Sequence, residues 1–124
     1  MKFNFGFICD DCRREDNGKL MFIGAYGSSI IMPELGAVVV TVIISLNVSE
    51  STDVATRFQV QLNEKPLISG AGRMKASTPG DHFFPIRNVL LDLKETGDLV
   101  FRLSIEDGDW QTICKMPVIL RTST

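Results

Sequence analysis

The sequence predicts an all-β fold: a single, mostly antiparallel β-sandwich of about eight strands, immunoglobulin-like or C2-like in kind. Three observations carry this expectation. Apolar residues recur at every second position in several segments, and turn residues interrupt these segments at short intervals. No stretch of helical length sustains an apolar stripe at i, i+3 and i+4.

Phe3, Phe5, Phe7 and Cys9 alternate with Asn4, Gly6 and Ile8, an opening strand whose aromatic series is expected to face the core. The charged connection CDDCRREDNGKL, Cys9 to Leu20, contains Asn17-Gly18, a dipeptide that accepts the positive φ of a tight reversal. The opening strand and Lys19 to Tyr26 are therefore expected to be antiparallel neighbours. Ala37 to Leu46 is apolar on both faces, unlike a sandwich strand with one face in solvent. If it shares a sheet with Lys19 to Tyr26, Val39, Ile43, Met21 and Ile23 form an outer patch.

Phe58, Val60 and Leu62 alternate with Arg57, Gln59 and Gln61 in a further strand, and Leu67 to Ser69 and Ile86 to Leu93 are shorter candidates. The glycines, prolines and small polar residues of Gly70 to Pro85 read as a long loop. Leu99, Phe101, Leu103 and Ile105 lead through Asp107-Gly108 into Trp110, Thr112, Cys114 and Met116, a second hairpin, with Val118 to Arg121 as a possible final strand.

Composition bounds the function. The 124 residues fit one domain, 1–124, and 44% hydrophobic content can build a core without disulfides or metals. A net charge of −2 leaves no basic excess to displace counterions from phosphates, so nucleic acid is not an expected partner. The longest apolar run, Leu35 to Leu46, is too short for a bilayer, and MKFNFGFICDDC lacks the plan of a secretory signal. A cytoplasmic protein without membrane association is expected. Three cysteines, an odd number, make no disulfide framework.

Candidate chemistry is sparse. Cys9-x-x-Cys12 matches half a zinc site or a redox motif, but no second pair and no following helix accompany it. Cys9 is expected in the core and Cys12 in an exposed loop. Carboxylates gather near two turns, Asp10, Asp11, Glu15 and Asp16 in one and Glu106, Asp107 and Asp109 in the other. Calcium would suit Asp10, Asp11, Glu106, Asp107 and Asp109 if they converge, which gives the alternative of a metal-dependent binding domain. His82, beside Asp81, is the one conventional general base and supports a third reading, a hydrolase. Phe83 and Trp110 are placed to anchor a partner.

The run Ile8 to Tyr26, with its Cys-acidic start, Gly18-Lys19 turn and Ile23-Gly24-Ala25-Tyr26 strand, resembles the opening of a family of small uncharacterised bacterial and phage proteins. Gly97-Asp98-Leu99 to Trp110 resembles that family's closing hairpin. The resemblance implies a β-sandwich and a bacterial or phage setting, and no activity. By position it marks Asp11, Arg13 and Glu15 as characteristic polar residues, which an arginine–carboxylate network holding the first hairpin would explain. Cys12 departs from the apolar residue expected there. The resulting expectation is a non-catalytic binding or assembly module without cofactor, engaging a protein partner or a second copy through an apolar strand face.

Overall fold

Alternation becomes ten strands in the computed structural model, which describes residues 1–121. They are β1 (Lys2–Cys9), β2 (Asp11–Arg14), β3 (Leu20–Ile23), β4 (Ile30–Met32), β5 (Gly36–Val48), β6 (Thr52–Leu62), β7 (Lys65–Ala76), β8 (Gly80–Leu93), β9 (Gly97–Ile105) and β10 (Gln111–Leu120). Among the described residues there is no helix. The sheets run β1-β5-β8, β4-β10-β9-β6-β7 and β2-β3. Every ladder is antiparallel except β4 on β10. The two larger sheets pack face to face around Ile8, Val42, Ile44, Val60, Leu91 and Phe101.

The count is ten rather than about eight because β2 and β4, both short, lie where the sequence suggested connections, while Val118 simply continues β10. The expected loop at Gly70 to Pro85 is mostly strand: β7 pairs with β6 as far as Ala76, and β8 pairs with β5 from Gly80. Only residues 77–79 turn. Weak β-propensity at Gly70 and Gly72 yields to the long ladder that the neighbouring strand supplies.

The opening strand is inverted relative to its expectation. Phe3 pairs with Leu46 but Phe5 with Ser45, so a bulge at Asn4 inserts one residue and exchanges the faces. Phe3, Gly6 and Ile8 look into the sandwich, while Phe5, Phe7 and Cys9 look outward. Gly6 is required there: a Cβ would collide with the Ile113 side chain and sit 3.2 Å from the carbonyl oxygens of Ile113 and Ile43.

Turn chemistry is also displaced. Gly18 (φ 85°) does close a hairpin, its amide donating to the Glu15 carbonyl, but the hairpin joins β2 to β3, and β1 pairs with β5. In the β9–β10 turn the positive φ angles fall on Glu106 (53°) and Asp107 (58°), one residue before the expected Asp107-Gly108. Asn63 (51°) and Glu64 (68°) form an equivalent two-residue reversal between β6 and β7. Paired left-handed residues match the right-handed twist of the strands they join.

Candidate functional site

The β2–β3 hairpin lies on the outer face of the β1-β5-β8 sheet as a third layer. Cys12, Leu20 and Phe22 point down from it and pack on Cys9, Phe7 and Ile43. This explains why β5 is apolar on both sides. Its inner series Val40, Val42, Ile44 and Leu46 fills the sandwich, and outer Ile43 is fully covered by the hairpin. The expected patch is thereby divided. β3 and β5 do not share a sheet, Ile43 is buried, and Val39 stays 50% exposed.

Polar contacts fix the hairpin in place. The Asp10 amide donates to the Ile23 carbonyl at 2.9 Å, the Tyr26 amide to Ile8 at 3.0 Å, and the Tyr26 hydroxyl to Asp10 Oδ1 at 3.1 Å. Gly24, at φ 68°, makes room for the Asp10 carboxylate, which occupies the space a Cβ would need. From β8, Arg87 Nη2 donates to the Cys12 carbonyl at 3.1 Å. Asp11 accepts the Cys12 amide at 2.8 Å and pairs with Arg13 Nε at 3.0 Å. The Arg13 hydrogen bond first, then that amide, hold the Asp11 carboxyl below the usual range.

The Cys12 thiol of the hairpin and the Cys9 thiol of β1 beneath it are both shielded. Cys12 is buried rather than exposed, because its position in β2 faces the sheet below. Cys9 is fully buried and its Sγ donates to the Asp11 carbonyl at 3.3 Å; burial, then the neighbouring Cys12, push its pKa up. The Cys9 thiol, raised in this way, stays protonated and is a poor nucleophile.

At the hairpin's flank four phenylalanines close a ring of contacts. Phe5 stacks on Phe7 at 6.3 Å, Phe7 meets Phe22 edge-on at 5.0 Å, Phe22 meets Phe83 at 5.4 Å, and Phe83 meets Phe5 at 6.0 Å. These separations lie within the range of favourable aromatic pairs. Phe5 and Phe83 remain 49% and 40% exposed. Beyond the hairpin, Val39 pairs directly with Leu90 of β8 across the sheet, and both stand in solvent.

The other residues singled out by sequence fall elsewhere. Glu15 contributes only its main chain to the β2–β3 turn. His82 is half buried, with Nε2 2.8 Å from the Thr78 carbonyl oxygen. Adjacent strand residues face opposite ways, so Asp81 turns from His82 to the amides of Asn47 (2.8 Å) and Asn4 (3.0 Å), which hold its carboxyl below the usual range. Trp110 lies at the other sheet, with the guanidinium carbons of Arg57 and Arg102 at 5.2 and 4.8 Å from its ring. Asp10 and Asp11 flank the hairpin, whereas Glu106 and Asp107 turn beside Ala55 and Arg57 of β6. Among the described residues no three His, Cys, Asp or Glu side chains converge on a point that would hold a metal ion.

Sequence reasoning passed over Phe5 as a surface residue, Arg87 as a clamp and Leu90 as half of an exposed pair. Only Leu90 carried a signal: Val89-Leu90-Leu91 is apolar on successive positions, so one face of β8 must show a leucine to the outside.

No protein-family model matches the chain, and no curated protein is significantly similar to it. Among the described residues no helix is long and apolar enough to cross a membrane.

Proposed function

We propose that this chain is a non-catalytic binding or assembly module that pairs with a second copy of itself through the hairpin-bearing side. The supporting observation is an excess of exposed apolar residues on that side; the opposite sheet exposes Ile31 and Leu120, both at its β4–β10 edge. Phe5, Met21, Ile23, Val39, Phe83 and Leu90 lie on the outer face of the β1-β5-β8 sheet or on the outward side of its hairpin. The outer face of the opposite sheet carries Arg57, Gln59, Gln61, Arg102 and Lys115. An apolar side of this kind gains by being covered, and a net charge of only −2 raises little barrier between copies. A bacterial or phage setting, implied by the resemblance of the opening segment, belongs to the same proposal.

The test is light scattering coupled to size exclusion across a hundredfold range of concentration, on the parent and on Val39→Lys with Leu90→Lys. The expected result is a dimer that the double substitution converts to a folded monomer. A parent that stays monomeric at millimolar concentration removes the reading.

A further inference from the structure

At one flank of the sandwich two sheet edges lie side by side without pairing. β7 is the free edge of the five-stranded sheet and β8 that of the three-stranded sheet, and the turn at 77–79 joins them. A free edge presents main-chain N–H and C=O groups that only another strand can satisfy in register. Edges are normally guarded by charge, proline or a bulge. β7 has these devices at its ends, in Lys65, Pro66, Lys75 and a register shift near Leu67, but Leu67 to Gly72 carries no charge. Arg73, next along, is folded back onto its own sheet, with Nε 2.9 Å from Asp53 Oδ1 on β6.

Between Ile68 and Met74, which reach the core, two inward positions of β7 are also empty. Gly70 pairs with Phe58 and Gly72 with Thr56, so both glycines occupy places where a sandwich strand would plug the interior. A Cβ at either would meet nothing within 4 Å, and neither has a positive φ, so these glycines are not serving a turn. Their missing side chains leave a cleft, open to solvent, of about 220 Å³, whose apolar lining is Phe58, Met74, Phe84, Pro85 and Ile86, with Ala71, Thr56 and Arg73 completing it beside the glycines. An apolar cavity of about 150 Å³ takes up benzene, so this cleft has room for apolar side chains inserted from outside.

We infer that this flank accepts an extended segment of another protein, which adds to β7 as a strand and inserts apolar side chains from alternate residues over Gly70 and Gly72. Strand addition draws affinity from main-chain pairing and specificity from pockets for every second side chain, and the flank supplies both. A second copy's β7 is a poor occupant, because it would bring its own glycines and leave the cleft unfilled. The site is separate from the hairpin-bearing side, so Val39→Lys with Leu90→Lys leaves it intact.

The test is a displayed library of random twelve-residue peptides, selected on the intact protein. The comparison protein carries Gly70→Val and Gly72→Val, which fill the cleft, and its melting temperature is expected to equal or exceed the parent's. Should that variant misfold, Gly70→Ala with Gly72→Ala takes its place. Enriched peptides are expected to carry apolar residues at every second position, to bind the filled variant at least tenfold more weakly, and to lose at least tenfold when N-methylated along one edge. Failure to enrich any peptide, equal binding to a folded filled variant, or tolerance of N-methylation overturns the inference. A dimer of the parent that the glycine substitutions abolish overturns it in favour of a second copy.

Discussion

Arg87 of β8 donates a hydrogen bond of 3.1 Å to the main-chain carbonyl of Cys12 in β2, so a side chain of the large sheet holds the backbone of the hairpin lying on it. Arg87 is itself exposed, and the contact acts mainly by fixing position. Replacing Arg87 by alanine is expected to cost about 1 kcal/mol and to loosen the hairpin specifically. Hydrogen exchange at Cys12 and Phe22 should accelerate, and Cys12 should react faster with an aromatic disulfide reagent while Cys114 keeps its rate. Unchanged Cys12 reactivity would show that apolar packing alone holds the hairpin.

Gly6 sets how closely β1 approaches β10. Gly6→Ala forces its methyl against the Ile113 side chain and two carbonyl oxygens at 3.2 Å, at a cost of about 1–3 kcal/mol. Ile113→Ala alone should cost about 2–5 kcal/mol, since Ile113 is only 5% exposed. In the double variant the collision is relieved, so its loss in urea unfolding should be smaller than the sum of the two. Strict additivity would mean the strands separate instead of the side chains clashing.

Glu64 holds φ at 68° in the β6–β7 reversal, a conformation that glycine adopts without the Cβ penalty. Glu64→Gly should therefore raise stability by about 0.5–1 kcal/mol despite loosening the unfolded chain. A lowered denaturation midpoint would count against a left-handed conformation at this position.

Cys114 packs against the core, and burial pushes its thiol up to about 12 from an ordinary 9.0. The native thiol keeps its proton at pH values where the unfolded one has lost it. Its contribution is therefore full below pH 9 and declines as the pH rises towards 12, by at most about 1.4 kcal/mol per unit. Comparing urea midpoints of the parent and Cys114→Val from pH 7 to 11 isolates this slope, because lysine and tyrosine ionisation is common to both. Parallel curves would place the thiol in water.

The fold class was legible because period two holds through the central strands: Phe58, Val60 and Leu62 face the core, as do Leu99, Phe101 and Leu103. Which face a strand turns inward was less legible. The bulge at Asn4 reverses Phe5, Phe7 and Cys9, and nothing local in the run from Lys2 to Cys9 announces it, since the extra residue is fixed by pairing with β5. The buried Cys12 was missed for a similar reason. A charged four-residue strand reads as a loop until the apolar outer face of a distant strand lies beneath it.

By itself, then, the sequence determined that this chain is all-β, that Gly18 closes a reversal, and that β5 is apolar on both faces, since these follow from side-chain alternation and local backbone preference. Tertiary structure alone decided what covers β5, which phenylalanines reach the surface, and that Gly70 and Gly72 open a cleft at a sheet edge. The physical reason is that register and layer order arise from hydrogen-bond ladders and burial between residues far apart in the chain, such as Ser45 with Phe83. The periodic code of one strand carries no record of its neighbour.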